Sequence, residues 1–285
     1  MSSKPRAIDL SEWNPVGGLG DADRFVNKSD ARCMLKLFRR SDVSGKPQKE
    51  LAINQALVSL GIPTPRALEV VHAEGRTGLI YERLAGDMTL ARAIASEPDR
   101  LEELSGRFGT ALKELHEIPT DAEPLRDTRR NHAHFLPVVE QSGLLSPAQF
   151  ERISAIMDDS DRNVCVHGNA TLRNVVLSAG KTYLVDFDAV SCGNPLNDLG
   201  NWYAITHGAM RNEMSEYLFH LDNATLLETW RPFLRSYLET DDEADLAQVE
   251  ADLKPFAAIV PLRNAMCGHA DPERADALVK EFLGC

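Results

Sequence analysis

The sequence predicts an α+β chain of two lobes, a small β-rich N-terminal lobe over residues 1–82 and a larger, mainly helical C-terminal lobe over residues 83–285. Three observations predict this. Short apolar runs and a single helical stretch fill the first 82 residues. Segments with a 3.6-residue apolar period dominate beyond residue 100. Within that helical half, three short apolar strands lie close together between residues 164 and 187. A chain of 285 residues can bury one large core or two modest ones.

Taken in order, residues 25–26 and 33–38 are apolar runs separated by the polar stretch 27–31, which predicts a hairpin with an irregular loop. A helix is predicted over residues 47–60, where Leu51, Ala52, Ala56, Leu57 and Leu60 recur near a helical period. Gly61 ends it, and Pro63 and Pro65 forbid its continuation. Residues 67–71 and 78–81 read as strands around the turn Glu74-Gly75-Arg76, and residues 82–86 as the linker between lobes. Leu101, Leu104, Phe108, Leu112 and Leu115 mark one face of a long helix ending near His116. A further helix starts at Ser146-Pro147: serine caps it, proline occupies its first position, and Gln149 completes a capping box. Residues 164–166, 174–177 and 183–187 are the embedded strands, the last two joined by a turn at Ala179-Gly180. From Leu196 the chain is helical again.

Charge and cysteine usage narrow the function classes. The formal net charge is −12, which argues against a nucleic-acid partner, because phosphate backbones are bound by clustered Lys and Arg. An acidic surface serves solubility and also suits a cationic substrate. Five cysteines form no CxxC pair and no zinc-ligand spacing, so free thiols in a reducing compartment are expected. Residues 1–12 lack an apolar signal core and no stretch has the length of a membrane span. A cytoplasmic protein without a membrane or nucleic-acid partner is therefore expected; its oligomeric state is not readable.

The chemistry sits in one stretch. It runs Val166-His167-Gly168-Asn169-Ala170-Thr171-Leu172-Arg173-Asn174-Val175-Val176-Leu177, then Tyr183-Leu184-Val185-Asp186-Phe187-Asp188, then Gly193-Asn194-Pro195-Leu196-Asn197-Asp198-Leu199. Asn174 and Asp186 flank a hairpin turn and bear hard oxygen atoms. Such a pair suits Mg2+, which takes one or two protein ligands and fills its shell with water and phosphate oxygens.

These residues resemble the aminoglycoside phosphotransferase and choline kinase family, whose fold is two-lobed and protein-kinase-like. The family pattern is HGDxxxxN, a strand, a turn and hhDF, followed by a segment ending in Asp-Leu. His167, Gly168, Asn174, the Asp186-Phe187 pair and Asp198-Leu199 match it in order. The resemblance implies that Asn174 and Asp186 bind Mg2+ on a nucleoside triphosphate, ATP or GTP, and that Asp198 braces the catalytic loop. Asp188 either touches a second metal ion or caps the following loop. Upstream, Met34-Leu35-Lys36-Leu37-Phe38 is similar to the strand carrying the ATP-binding lysine, with Lys36 on the phosphates and Glu50 as its partner. Leu79-Ile80-Tyr81-Glu82-Arg83-Leu84-Ala85-Gly86 is similar to the adenine-binding hinge, which puts Glu82 and Leu84 at the nucleotide. Leu115-His116-Glu117-Ile118-Pro119 is similar to a recurring helix end. Gly18 and Gly20 in Gly17-Gly18-Leu19-Gly20 occupy the place of the phosphate-covering loop, where glycine lets backbone N–H groups approach phosphate.

One position departs from the pattern. Residue 169 is asparagine where the family has the aspartate that orients and deprotonates the substrate hydroxyl. An amide has nearly that shape but no charge and takes no proton near neutral pH. Three readings fit: an introduced substitution that traps a complex, a naturally silent nucleotide-binding pseudokinase acting through a partner, or a base supplied from elsewhere. The resemblance implies an acceptor hydroxyl on a small molecule: an aminoglycoside or other antibiotic, an amino alcohol such as choline, or a sugar. Only nine residues separate Asp188 from Asp198, too few for an activation loop that docks a peptide.

Other residues read as structural. His167 is expected to be buried against loop backbone, and His132 and His134 to be solvated loop histidines. Trp202, Tyr203 and Cys165 read as core, and the run 239–243 as an exposed helix start.

Overall fold

A computed structural model describes residues 5–17, 22–40, 45–86, 88–118, 125–158, 164–268 and 271–284. In chain order the elements are β1 (Arg6–Ala7), β2 (Trp13–Gly17), β3 (Ala22–Asn27), β4 (Cys33–Phe38), α1 (Lys46–Ser59), β5 (Ala67–Ala73), β6 (Arg76–Glu82), β7 (Met88–Thr89), α2 (Leu90–Ser96) and α3 (Leu101–His116). There follow β8 (Arg126–Asp127), α4 (Thr128–Ser142), α5 (Pro147–Asp158), β9 (Val164–Val166), β10 (Val175–Ser178), β11 (Lys181–Leu184), β12 (Ser191–Gly193) and α6 (Leu196–Ala204). The chain closes with α7 (Asn212–Phe219), α8 (Asn223–Leu238), α9 (Glu243–Ala257), α10 (Ile259–Met266) and α11 (Pro272–Leu283). The α+β class is as the sequence predicts: β-rich first, mainly helical after.

The chain divides into two compact units. The first comprises residues 1–87 with Leu177–Phe187, and the second comprises residues 88–176 with residues 188–285. In the first, the described residues form a sheet of order β1-β5-β6-β4-β3-β2. All neighbouring strands in it are antiparallel except β1 and β5. Strand periodicity sorts its side chains. Leu35 and Leu37 of β4 join Trp13, Val71, Ala73 and Ile80 in the core on one face, and Lys36 between them points to the other. The β5–β6 turn holds Glu74 and Gly75 at positive φ, the geometry of a tight hairpin connection that glycine makes easy.

In the second unit α3 and α8 cross closely. A Cβ on Gly109 would lie 2.2 Å from the carbonyl oxygen of Phe233, so only glycine permits this approach. Phe108 packs edge-on to Trp202 and against Phe233, with ring centroids 5.5 and 4.7 Å away. Trp202, Tyr203 and Cys165 are buried as expected, and burial pushes the Cys165 thiol up to about 12, a value that suits an inert core residue. Ser146 and Gln149 form the predicted reciprocal capping box, with N–H···O distances of 2.8 and 3.3 Å.

The structure departs from expectation in three places. The strand expected over 183–187 ends at Leu184, because Asp186 adopts a left-handed backbone. His132 and His134 lie in helix α4 rather than a loop, and His134 is exposed. The edge strands β1 and β2 have too few apolar residues to show in the sequence. Among the described residues no helix is long and apolar enough to cross a membrane.

Candidate active site

The first unit brings together Lys36, Glu50 and Asp186. The Lys36 side chain is 8% exposed and its Nζ lies 2.8 Å from Glu50 Oε1 and 3.9 Å from Asp186 Oδ1. Tyr81 Oη donates to the same Glu50 oxygen at 2.5 Å. A buried ammonium is tolerated only when paired and hydrogen-bonded, and here α1 supplies the pairing carboxylate while β6 supplies the phenol that orients it. Asp186 is a non-glycine residue at φ +66°. That conformation costs about 1–2 kcal/mol in an L-residue. It turns the chain out of β11 and aims the carboxylate toward Lys36.

The second unit holds the loop that follows β9. The Asp198 carboxylate, fully buried, accepts the N–H of His167 at 2.7 Å and of Gly168 at 2.8 Å. It also faces His116 Nε2 at 3.1 Å, and His116 Nδ1 lies 2.8 Å from Tyr237 Oη. The consistent tautomer has Nε2–H donating to the carboxylate and Tyr237 donating to Nδ1. Gly168 sits at φ +78°, and a Cβ there would lie 2.3 Å from the carbonyl oxygen of Ala189, so the loop requires glycine. His167, buried as expected, accepts the Asn169 N–H on Nδ1 at 3.3 Å. The Asn169 residue itself is exposed. Asn174 donates its Nδ2 to the Asn169 carbonyl at 2.9 Å, which ties up the nitrogen and leaves the amide oxygen as the end available to a cation. Asn201 reaches the Ala170 carbonyl at 3.5 Å.

The remaining candidates are placed as follows. Glu82 closes β6; its carboxylate pairs with Arg66 at 2.6 Å and its N–H donates to the Arg66 carbonyl at 2.9 Å. Leu84 follows it, half-buried. Asp188 is exposed and belongs to the second unit. Gly18 and Gly20 lie outside the described residues, while Gly17 just before them has φ +113°. Sequence reasoning missed the His116–Asp198–Tyr237 network and the Tyr81–Glu50 bond. His116 had a signal, its place at a helix end. Tyr237 and Tyr81 had none, since a tyrosine reads as core until its hydroxyl partner is known.

A family model described as the phosphotransferase enzyme family, APH, matches residues 12–233. The chain belongs to this family. Solved structures with the same fold include a Plasmodium vivax ethanolamine kinase, with a TM-score of 0.64 at 14% identity over 94% of this chain and 80% of that one. A choline/ethanolamine kinase family protein from Mesorhizobium loti has a TM-score of 0.59 at 14% identity, covering 95% of this chain and 87% of that one. The ternary complex of APH(2'')-IIa with streptomycin and ATP has a TM-score of 0.56 at 16% identity, covering 96% and 91%. Likeness at these identities carries the fold, which is kinase-like. Asn169 lies in the loop that Asp198 holds.

Proposed function

We propose that this protein transfers the γ-phosphoryl group of ATP to a hydroxyl of a small molecule. The observation that carries the reading is the buried Lys36–Glu50 ion pair with Asp186 at 3.9 Å, a charge arrangement with little purpose in a fold that binds no polyanion. The ATP complex of a solved neighbour supports the choice of nucleotide. Lys36 is assigned to the phosphates, with Glu50 and Tyr81 fixing its position, and Leu84 with the Glu82 carbonyl to the adenine. The Glu82 N–H is already committed to Arg66. Gly18 and Gly20 are assigned to the loop over the phosphates.

Mg2+ is assigned by the donor chemistry of single residues, each within its own unit. Asp186 offers a carboxylate and Asn174 an amide oxygen whose orientation is set by its bond to the Asn169 carbonyl; both are hard oxygen donors, and Asp188 is the candidate for a second ion. When bound, Mg2+ would neutralise phosphate charge. This chain's own residues do the rest: Lys36 binds, Asp198 and Gly168 hold the loop, and Asn169 accepts a hydrogen bond from the acceptor hydroxyl. Phosphoryl transfer through a loose transition state depends largely on such positioning, so turnover survives the amide in weakened form.

Asn169 is the observation favouring a second reading, a nucleotide-binding protein that transfers nothing and acts through a partner. Asn169→Asp decides between them. A restored general base should raise ATP-dependent phosphorylation of an acceptor by about 10²- to 10⁴-fold, measured as ADP release and product mass across a panel of hydroxylated small molecules. Nucleotide binding with no transfer to any acceptor after this change would favour the silent reading. The free cysteines among the described residues, Cys33, Cys165, Cys192 and Cys267, suit the proposed cytoplasmic setting.

A further inference from the structure

Asn169 and Asp188 stand at one end of the same pair of strands. Strands β9 and β12 are antiparallel, with Val164 opposite Gly193, Cys165 opposite Cys192 and Val166 opposite Ser191. In such a pair a step forward on one chain meets a step back on the other. Beyond Val166 and Ser191 the next positions to meet are therefore His167 with Val190, Gly168 with Ala189, and Asn169 with Asp188. The two chains do stay together as far as Gly168: a Cβ there would lie 2.3 Å from the Ala189 carbonyl oxygen and 2.9 Å from the Ala189 Cβ. Asn169 and Asp188 are the next residues outward on each chain, within the same unit, and both are exposed.

Consecutive Cα atoms are about 3.8 Å apart, so two residues that each lie one step from a backbone contact are within reach of one small molecule. The place is also well anchored. The Asn169 N–H donates to His167 Nδ1 at 3.3 Å and its carbonyl accepts from Asn174 Nδ2 at 2.9 Å, so both backbone groups are fixed. Asp188 lies in the 3-10 turn Phe187–Ala189. In kinase-type phosphoryl transfer the acceptor hydroxyl is oriented by a carboxylate of the catalytic loop. The amide oxygen of Asn169 can accept that hydrogen bond but carries no charge, and a charge-assisted bond is roughly twice as strong as a neutral one. Asp188 brings the missing charge to the same place.

We infer that Asp188 accepts the hydrogen bond of the acceptor hydroxyl and orients it, supplying beside Asn169 the carboxylate that position 169 itself lacks. This rests on the phosphotransferase reading and adds to it a residue that touches the acceptor. Asp188 is also the candidate for a second ion, and the two roles part in their consequences. A carboxylate that orients the hydroxyl sets the rate with acceptor and becomes redundant once residue 169 carries a charge. An ion ligand is felt in nucleotide and Mg2+ binding whatever stands at 169.

The test compares the unaltered chain, Asp188→Ala, Asn169→Asp and the two changes together, each checked for folding by thermal melt. Transfer from ATP to ethanolamine, choline, kanamycin and glucose is read as ADP release and product mass. In the unaltered background Asp188→Ala should lower kcat/KM for the best acceptor by about 10- to 100-fold, the worth of one hydrogen bond to a charged group. In the Asn169→Asp background the same change should cost less than about 5-fold, since two residues that serve one partner are not additive. Asp188→Glu, which keeps the charge, should retain part of the rate. MgATP affinity and its dependence on Mg2+, read by isothermal titration, should not fall in Asp188→Ala. A loss of the same size in both backgrounds, no loss in either, or a loss matched by weaker MgATP binding overturns the inference and leaves the phosphotransferase reading standing. Transfer by none of these proteins while MgATP still binds sinks that reading and this inference with it.

Discussion

Asp198 shows how much a single buried carboxylate can organise. It accepts two consecutive backbone N–H groups and faces a histidine ring nitrogen, so its removal from water is compensated by three donors. Replacing one oxygen with an amide nitrogen sets donor against donor. Asp198→Asn should therefore cost about 2–3 kcal/mol of stability and loosen the loop that carries Asn169, measured by urea unfolding and by acceptor KM. Unfolding midpoints that match the parent would show the brace to be dispensable. At this scale the sequence was partly legible. Asp198, Lys36 and Glu50 could be named because the residues around them resemble the motifs of a known family. The hydroxyls that complete the two networks, Tyr237 and Tyr81, could not, because a hydrogen bond spanning 121 residues leaves no periodic trace.

Elements were legible wherever a regular period or a stop signal existed. Helix α3 follows its leucine face, and the capping box at Ser146 forms as written. The strand expected to run through residue 187 breaks because Asp186 takes a left-handed conformation, and a backbone outlier of that kind is invisible to apolar pattern. It sits at a candidate metal ligand, where strain is commonly stored. Contact between elements was also hidden. Glycine 109 lies on a helix interior, where it is unfavourable by itself, and only the crossing with α8 explains it: a methyl group there would lie 2.2 Å from the Phe233 carbonyl. Gly109→Ala should destabilise by about 1–3 kcal/mol through forced separation of the helices, against the gain that helix propensity alone would give. A thermal melt decides the sign, and a stabilised variant would mean that the two helices part at no cost.

At the scale of the molecule, the chain enters its first unit twice, since Leu177–Phe187 joins residues 1–87. A linear reading divides a sequence at one point and has no means of seeing such a return. The consequence is chemical: Asp186, distant in sequence from Lys36, comes within 3.9 Å of it. We propose that this convergence holds a magnesium nucleotide. Isothermal titration of MgATP into the unaltered chain, Lys36→Met and Asp186→Asn reads this out. Each substitution should weaken binding by about 10- to 100-fold, the worth of a charge-assisted contact, and Asp186→Asn should also remove most of the dependence on Mg2+. Equal affinity in all three proteins, with or without the metal, would contradict it.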